Sequence, residues 1–145
     1  MKALIQRVSE ASVTVDDEKI SHIQHGLVVL LGVEKGDDSA ALDKLLHKVS
    51  HYRIFADEDD RMNLNVQQVA GSLLVVSQFT LAAETSKGLR PGFSTAAHPE
   101  VAELLYEEFI AKAKAMNIIV EAGCFGADMK VALVNDGPVT FWLSS

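Results

Sequence analysis

The sequence predicts an α+β fold in which a mixed, strongly curved, barrel-like β-sheet is covered by two main helices. About eight short segments have strand patterns, whereas only two have the apolar spacing of a helix. A doubly wound parallel sheet would need a helix between most of its strands, so that architecture is disfavoured. The chain has 145 residues and no repeat, low-complexity tract or linker, which predicts a single domain over 1–145.

The first part of the chain predicts three strands. Residues 11–15 alternate between apolar and polar, Asp16-Asp17 supplies a turn, and 19–23 follow, a pattern typical of a hairpin. Residues 27–31 form a continuous apolar run, which predicts a strand covered on both faces.

Two segments have helical spacing. Ser39 is the predicted N-cap of a helix over 40–51, and Pro99 suits the first turn of a second helix that reaches about Asn117. The apolar residues that define the first helix are Leu42, Leu45, Leu46 and Val49.

The other segments predict short strands joined by turns and one long loop. The strands are expected at 52–55, 62–66, 73–81, 118–121, 129–134 and 139–143. Residues 83–98 are expected to be a structureless loop, which in a compact domain is usually either functional or disordered. Asn135-Asp136-Gly137 predicts a turn before the last strand, and composition alone favours a trans Gly137–Pro138 bond.

Composition narrows the class of protein. A net charge of −7 disfavours DNA as a partner and restricts RNA contact to the end of a molecule, where few phosphates need neutralising. The N-terminal residues lack the apolar run of a signal peptide and no segment could span a bilayer, so we expect a soluble, cytoplasmic protein with no membrane partner. The single cysteine, Cys124, is expected to be a buried, inert thiol.

Several motifs are absent or incomplete. No dinucleotide, P-loop, zinc-peptidase or Gly-x-Ser-x-Gly motif occurs. The acidic run at 57–60 lacks the ligand pattern of a calcium loop. His47 and His51 lie opposite the apolar face of their helix beside Lys44, which predicts solvated side chains. Neither a metal nor a cofactor is expected.

Polar residues end the apolar segment 73–81. On a strand, Gln78 and Thr80 would share one face, with Ser77 and Phe79 on the other. Such an end commonly lines a site, and its free N–H groups could stabilise an oxyanion, although a strand that only emerges into solvent has the same composition. Thr80 is a candidate nucleophile, but no histidine or carboxylate lies near it in sequence to act as a base.

The 83–98 loop combines cations with an aromatic residue. Lys87 and Arg90 could contact a phosphate, and Phe93 could stack on a base. A solvated loop without a ligand is the alternative on local composition.

Together these segments resemble the D-aminoacyl-tRNA deacylase family over nearly the whole chain. The most specific matches are Ser77-Gln78-Phe79-Thr80 and Gly137-Pro138-Val139-Thr140, in this order and at this spacing. Further matches are Gln6-Arg7-Val8-Ser9-Glu10-Ala11-Ser12-Val13, Leu31-Gly32-Val33 to Asp37, Met62-Asn63-Leu64, Lys87-Gly88-Leu89-Arg90-Pro91-Gly92-Phe93, Phe125-Gly126-Ala127-Asp128-Met129 and Val134-Asn135-Asp136.

The resemblance implies an esterase for D-aminoacyl-tRNA that acts as a homodimer and binds the 3′ end of its substrate. It implies that a cis Gly137–Pro138 segment of one subunit enters the site of the other, where its carbonyls hold the α-amino group of a D-aminoacyl ester. An L side chain would collide with the same backbone, whereas glycine has no side chain to exclude. Glycyl-tRNA mischarged on a non-cognate tRNA is therefore expected to be a substrate as well.

The resemblance also implies roles for single residues. Ser77, Gln78, Phe79 and Thr80 form the catalytic strand, with the N–H groups of Phe79 and Thr80 as oxyanion donors and Phe79 against the terminal adenosine. Met129 is expected in the pocket wall, and Arg7 is expected to steady Gly137 and Pro138. We expect the 2′-hydroxyl of the RNA to assist water, with the protein positioning the ester.

Two other classes of function are also compatible with these residues. One is a non-enzymatic binding module built on the same dimer. The other is an esterase or peptidase with a threonine or serine nucleophile. Release of amino acid from D- and L-aminoacyl-tRNA separates all three.

Overall fold

A computed structural model describes residues 1–145 and confirms the α+β class, with two helices against a mixed, curved sheet. The elements are β1 (Lys2–Val15), β2 (Glu18–Ile23), β3 (Gly26–Gly32), α1 (Ser39–His51), β4 (Phe55–Ala56), β5 (Met62–Leu64), β6 (Ser72–Ser77), a 3₁₀ turn (Phe79–Ala82), α2 (Pro99–Ala115), β7 (Ile119–Ala122) and β8 (Lys130–Ser144). No helix is long and apolar enough to cross a membrane.

The main sheet is organised around the long first strand. β1 pairs antiparallel with β3 through its first half, with β2 through its second half, and with β8 along its other side. β6 joins β3 in parallel, and β7 joins β6 in parallel, so the sheet is mixed. Because β2 also contacts β6 and β7, the sheet curves until it is nearly closed.

The core is divided by this sheet into two clusters. Leu27, Val29 and Leu31 of β3 face the larger cluster, which also holds the buried sides of α1 and α2. Val28 faces a smaller cluster inside the curve of the sheet. Alternate residues of β3 are therefore buried on opposite faces, which confirms the interpretation of its continuous apolar run.

Several predicted element ends are wrong. The strand expected at 52–55 is β4 at Phe55–Ala56, and two other ends differ for reasons that the structure shows. Asp38 is the N-cap of α1, since its carboxylate accepts from the N–H of Ala41 at 2.9 Å, and Ser39 is already helical. The strand predicted over 73–81 ends at Ser77. The N–H of Gln78 makes the last bond, to the carbonyl of Leu31, and β3 offers no partner beyond Gly32. The chain then tightens into the 3₁₀ turn.

The predicted turn at 135–137 is also wrong. β8 is one strand, because β1 is long enough to pair with it on both sides of the Gly-Pro segment, defined here as residues 136–139. Val8 pairs with Asn135 and Gln6 with Thr140, so the whole segment bulges opposite Arg7 alone. The Gly137–Pro138 peptide is cis, as the resemblance implies and contrary to the expectation from composition.

Two further expectations are corrected. The 83–98 loop is not structureless, since Glu84 and Gly92 form a short antiparallel bridge and Ala96 forms another with Glu34. Cys124 is exposed, because the Gly123–Gly126 stretch runs over the surface after β7.

Candidate active site

An apolar cleft opens where β6 ends against α2. Its volume is about 400 Å³, and 12 of its 16 lining residues are hydrophobic, so it suits a flat organic group better than a highly charged one. Ser77, Gln78 and Phe79 line it on one side and Met129 on another. The structure therefore brings together four of the residues that the sequence singled out.

The rim of the cleft carries two free backbone donors. The N–H groups of Phe79 and Thr80 begin the 3₁₀ turn, and neither makes a backbone hydrogen bond. The first N–H groups of any helical turn lack a partner within it and are available to an anion. This arrangement can stabilise negative charge that develops on an ester oxygen beside them.

Thr80 lies next to the cleft without lining it. Its hydroxyl oxygen accepts from the side-chain amide of Gln78 at 2.6 Å, and no histidine or carboxylate contacts it. An amide is not a base at neutral pH, so the contact orients the hydroxyl and does not activate it.

Phe79 is the most prominent side chain at the rim. It is 59% exposed, and its ring packs against that of Phe93 with centroids 5.1 Å apart. An exposed ring supported from behind by a second ring provides a stacking surface for a planar ligand.

The opposite wall is built by Met129 and the loop before it. A β-carbon added to Gly123 would lie 2.6 Å from the sulfur of Met129, so the loop packs directly on that side chain. A glycine at 123 therefore allows Met129 to lie against the wall, where the resemblance placed it.

Tyr106 of α2 lies at the base of the cleft and was not singled out from the sequence. Its buried hydroxyl donates to the carbonyls of Val75 at 2.9 Å and of Gly123 at 3.3 Å, which joins the ends of β6 and β7. Burial raises the pKa of Tyr106 to about 12, so the hydroxyl stays protonated and serves as a structural donor. The only sequence signal was a tyrosine among the apolar residues of a helix.

Arg7 holds the Gly-Pro segment away from this cleft. Its Nε donates to the carbonyl of Asp136 at 3.0 Å and its Nη1 to that of Ile54 at 2.7 Å. The side-chain oxygen of Asn135 accepts from the N–H of Val139 at 2.9 Å, so the segment is fixed at both ends.

Gly137 and Pro138 are exposed. None of Arg7, Gly137 and Pro138 lines the cleft, so one chain presents the predicted site in two separate parts.

The predicted RNA-contact residues lie on the loop beside Phe79. Lys87 and Arg90 are exposed and form no ion pair, and Phe93 is 42% exposed. No cluster of three or more side chains from the usual metal-binding residues occurs.

Comparison with known proteins decides the family. A sequence model of the family described as D-Tyr-tRNA(Tyr) deacylase matches residues 4–144. The chain belongs to this family. This assignment confirms the resemblance and the prediction of an enzyme of the aminoacyl-tRNA deacylase type.

Individual deacylases of the family match over essentially the whole chain. The D-aminoacyl-tRNA deacylase of Aeromonas hydrophila is 68% identical over 143 residues, with 99% of each chain covered. That of Shewanella amazonensis is 64% identical over 143 residues, again with 99% of each chain covered.

Two solved structures share the fold. One, described as c-Myc DNA Unwinding Element Binding Protein, has a TM-score of 0.96 and 40% identity and covers 100% of this chain and 99% of its own. The other, described as a probable eukaryotic D-amino acid tRNA deacylase, has a TM-score of 0.85 over 99% of this chain and 98% of its own. Because its identity is only 16%, the second structure supports the fold of this chain and nothing more.

Proposed function

We propose that the protein hydrolyses the ester bond between a D-amino acid and the terminal adenosine of tRNA, and that it also removes glycine from a non-cognate tRNA. The observation that carries the proposal is the pair of free N–H groups of Phe79 and Thr80 at the rim of an apolar cleft, in a chain of the deacylase family. The cleft accepts the adenosine, with the ring of Phe79 against the base.

The chemistry assigned to the protein is positioning and charge stabilisation. Water attacks the ester carbonyl, the two N–H groups stabilise the oxyanion, and the bond to the ribose oxygen breaks as a proton from the water passes to that oxygen, which releases a free amino acid and tRNA. Because the hydroxyl of Thr80 contacts only an amide, we assign the activation of water to the 2′-hydroxyl of the terminal ribose. Ser77 and Gln78 shape the cleft beside the reacting ester.

Chirality enters through a second copy of the chain. Gly137 and Pro138 are exposed and are held from behind by Arg7, so their outer face is free to enter a neighbouring cleft. In a homodimer, their carbonyls would accept hydrogen bonds from the α-ammonium group of the substrate. An L side chain would then meet backbone, whereas D-aminoacyl and glycyl groups fit.

A free sheet edge supports the dimer. β8 pairs only with β1, so its outer edge is unpaired over a long strand, with Val134 and Trp142 exposed. Long unpaired edges are rarely left open to solvent in native proteins. A second copy would cover this edge and bring its own Gly-Pro segment to the cleft.

The RNA part of the substrate is assigned to the 83–98 loop. Lys87 and Arg90 are the cations nearest to Phe79 along the chain, and Phe93 supports that ring. The net charge of −7 argues against DNA as a partner, although one similar structure is described as a DNA-element-binding protein.

The decisive experiment compares D-aminoacyl-, L-aminoacyl- and glycyl-tRNA at matched concentrations. We expect release from the D-aminoacyl and glycyl esters at least about a hundredfold faster than from the L-aminoacyl ester, because the collision is steric. Equal release of all three would identify a generic esterase. No release with intact RNA binding would identify a binding module.

The cross-subunit arrangement has its own test. Phe79→Ala damages the cleft and Arg7→Ala damages the Gly-Pro segment, so a mixed dimer of the two impaired variants would contain one intact composite site. We expect mixing after dissociation to restore about a quarter of the wild-type activity, from half of the dimers with one of two sites intact. No recovery in demonstrably mixed dimers would place both parts of the site within one chain.

A further inference from the structure

Residues 84–92, which we name the arm, form a hairpin that is closed by two backbone hydrogen bonds. The N–H of Glu84 donates to the carbonyl of Gly92 at 2.8 Å, and the N–H of Gly92 donates back at 3.0 Å. The carboxylate of Glu84 also accepts from the N–H of Ser86 at 2.7 Å, and hydrogen bonding by Ser86 lowers the pKa of Glu84. The arm therefore has a defined base that stays charged and bonded near neutral pH.

The base of the arm is tied to the rim of the cleft. Phe93, next to Gly92, packs on Phe79 with centroids 5.1 Å apart. The hydroxyl of Thr95 donates to the carbonyl of Ala82 at the end of the 3₁₀ turn, and the carbonyl of Thr95 accepts from the N–H of Lys35 at 2.9 Å. A ligand held by Phe79 therefore has the arm at a set position beside it.

The tip of the arm carries chemistry that folding does not explain. Leu89 is fully exposed, although an isolated aliphatic side chain gains nothing in water. Lys87 and Arg90 flank it, exposed and without ion pairs, in a chain with a net charge of −7. Gly88 has a φ of +71°, which a residue with a β-carbon rarely adopts, so the glycine lets the chain bend between Lys87 and Leu89 at the tip.

We infer that the arm binds the double-helical acceptor stem of an RNA whose 3′ end occupies the cleft. Lys87 and Arg90 contact backbone phosphates on either side of Leu89, which packs on ribose faces in the minor groove. The inference rests on the proposed function for the identity of the RNA, and it adds a stem-binding surface with an apolar contact at its centre.

The chemistry of an A-form stem matches the tip. Its minor groove is wide and shallow and displays riboses, so a short aliphatic side chain can reach sugar surfaces there. Two cations suit a contact with few phosphates, which an acidic protein can tolerate. Single-stranded RNA would instead favour aromatic stacking, and the arm itself, residues 84–92, carries no aromatic side chain.

The test measures binding of two RNA probes to the full-length protein. One probe is an uncharged tRNA transcript, and the other is a single-stranded oligoribonucleotide that ends in the same 3′ sequence. The double variant Lys87→Ala/Arg90→Ala is compared with Lys19→Ala/Lys114→Ala, which removes two exposed, unpaired cations from β2 and α2 and changes the net charge equally.

We expect Lys87→Ala/Arg90→Ala, the arm variant, to bind the transcript roughly tenfold more weakly than the wild type. The slope of log affinity against log salt should be smaller in magnitude by about 2. The single-stranded probe should bind equally to the wild type and both variants. Unchanged transcript affinity in the arm variant, or an equal loss in the control variant, would overturn the inference. An equal loss of affinity for both probes would also overturn the inference, because the arm would then bind the single-stranded 3′ end and not the stem.

Leu89 is tested separately against an exposed leucine on α2. Leu89→Ser should weaken transcript binding about threefold, whereas Leu104→Ser should leave it unchanged. Equal affinity of Leu89→Ser and the wild type would remove Leu89 from the interface. Unfolding temperatures should match among all variants, since these side chains are exposed.

Failure of this inference is distinguishable from failure of the proposed function. If the wild type releases D-amino acids but the arm variant binds the transcript normally, only the arm assignment falls. If the wild type releases nothing but the arm variant alone loses transcript binding, the deacylase proposal falls and the stem-binding surface stands.

Discussion

The Nε of Arg7 lies 3.0 Å from the carbonyl oxygen of Asp136, the residue immediately before Gly137. The Arg7 side chain is only 14% exposed, and its Nη1 also donates to the carbonyl of Ile54 at 2.7 Å. One side chain thus ties the Gly-Pro segment to the chain that follows α1. The segment is a supported projection, and its support comes from a residue seven positions into the sequence.

Arg7→Ala is expected to lower the rate of D-aminoacyl-tRNA hydrolysis by about 10- to 100-fold, because two charge-assisted hydrogen bonds are lost. Arg7→Lys should recover only part of this, since an ammonium group cannot span both carbonyls as the fork does. Single-turnover rates with a D-aminoacyl ester measure the effect. A rate within twofold of the wild type for Arg7→Ala would remove Arg7 from the mechanism.

Gly137→Ala is expected to destabilise the protein by about 1–3 kcal/mol and to reduce activity, since its φ of +136° is strained for alanine. The added β-carbon would also lie 2.6 Å from a methyl group of Val139 and 3.0 Å from Nη2 of Arg7. Gly36→Ala is the matched control, because Gly36 also has a positive φ but nothing within 4 Å of the added atom. Urea unfolding of the wild type and both variants measures the two losses of stability. Equal losses in Gly137→Ala and Gly36→Ala would show that the clash contributes nothing.

Thr80→Ala is expected to keep deacylation within about tenfold of the wild type, because the hydroxyl contacts only the amide of Gln78. Gln78→Ala should behave similarly in the same single-turnover assay. The N–H groups of Phe79 and Thr80 remain in both variants. A loss beyond about a thousandfold with unchanged RNA affinity would instead support covalent catalysis by Thr80.

Tyr106→Phe is expected to cost about 1–3 kcal/mol at neutral pH, since the carbonyls of Val75 and Gly123 lose a buried donor. Burial raises the folded-state pKa of Tyr106 from 10.0 to about 12. A raised folded pKa means that this contribution is complete below about pH 10 and is lost as the pH rises toward 12.

The free energy of unfolding, measured from pH 8 to 12, checks this prediction. The wild type should lose stability above pH 10 more steeply than Tyr106→Phe. Tyr52→Phe, which removes the other tyrosine, should retain the steep loss. Parallel curves for the wild type and Tyr106→Phe would contradict the assignment.

The sequence by itself determined the fold class and most of the elements. The apolar spacing of α1 and the continuous apolar run of β3 predict which side chains are buried. This works because the direction of each side chain follows from the period of its helix or strand. The family was also present in the sequence, because Ser77 to Thr80 and Gly137 to Thr140 stand at specific positions within a full-length match.

Only the tertiary structure decided where those motifs lie and which of their backbone groups are free of hydrogen bonds. β6 stops at Ser77 because β3 offers no further partner, and this is why the N–H groups of Phe79 and Thr80 are free. Residues 136–139 bulge because β1 pairs with β8 on both sides of them, and Arg7 reaches them across that pairing. The residues of a segment do not specify how long the neighbouring strand is or which strand pairs with it. No pattern within these segments could therefore have indicated the end of β6 at Ser77 or the bulge at 136–139.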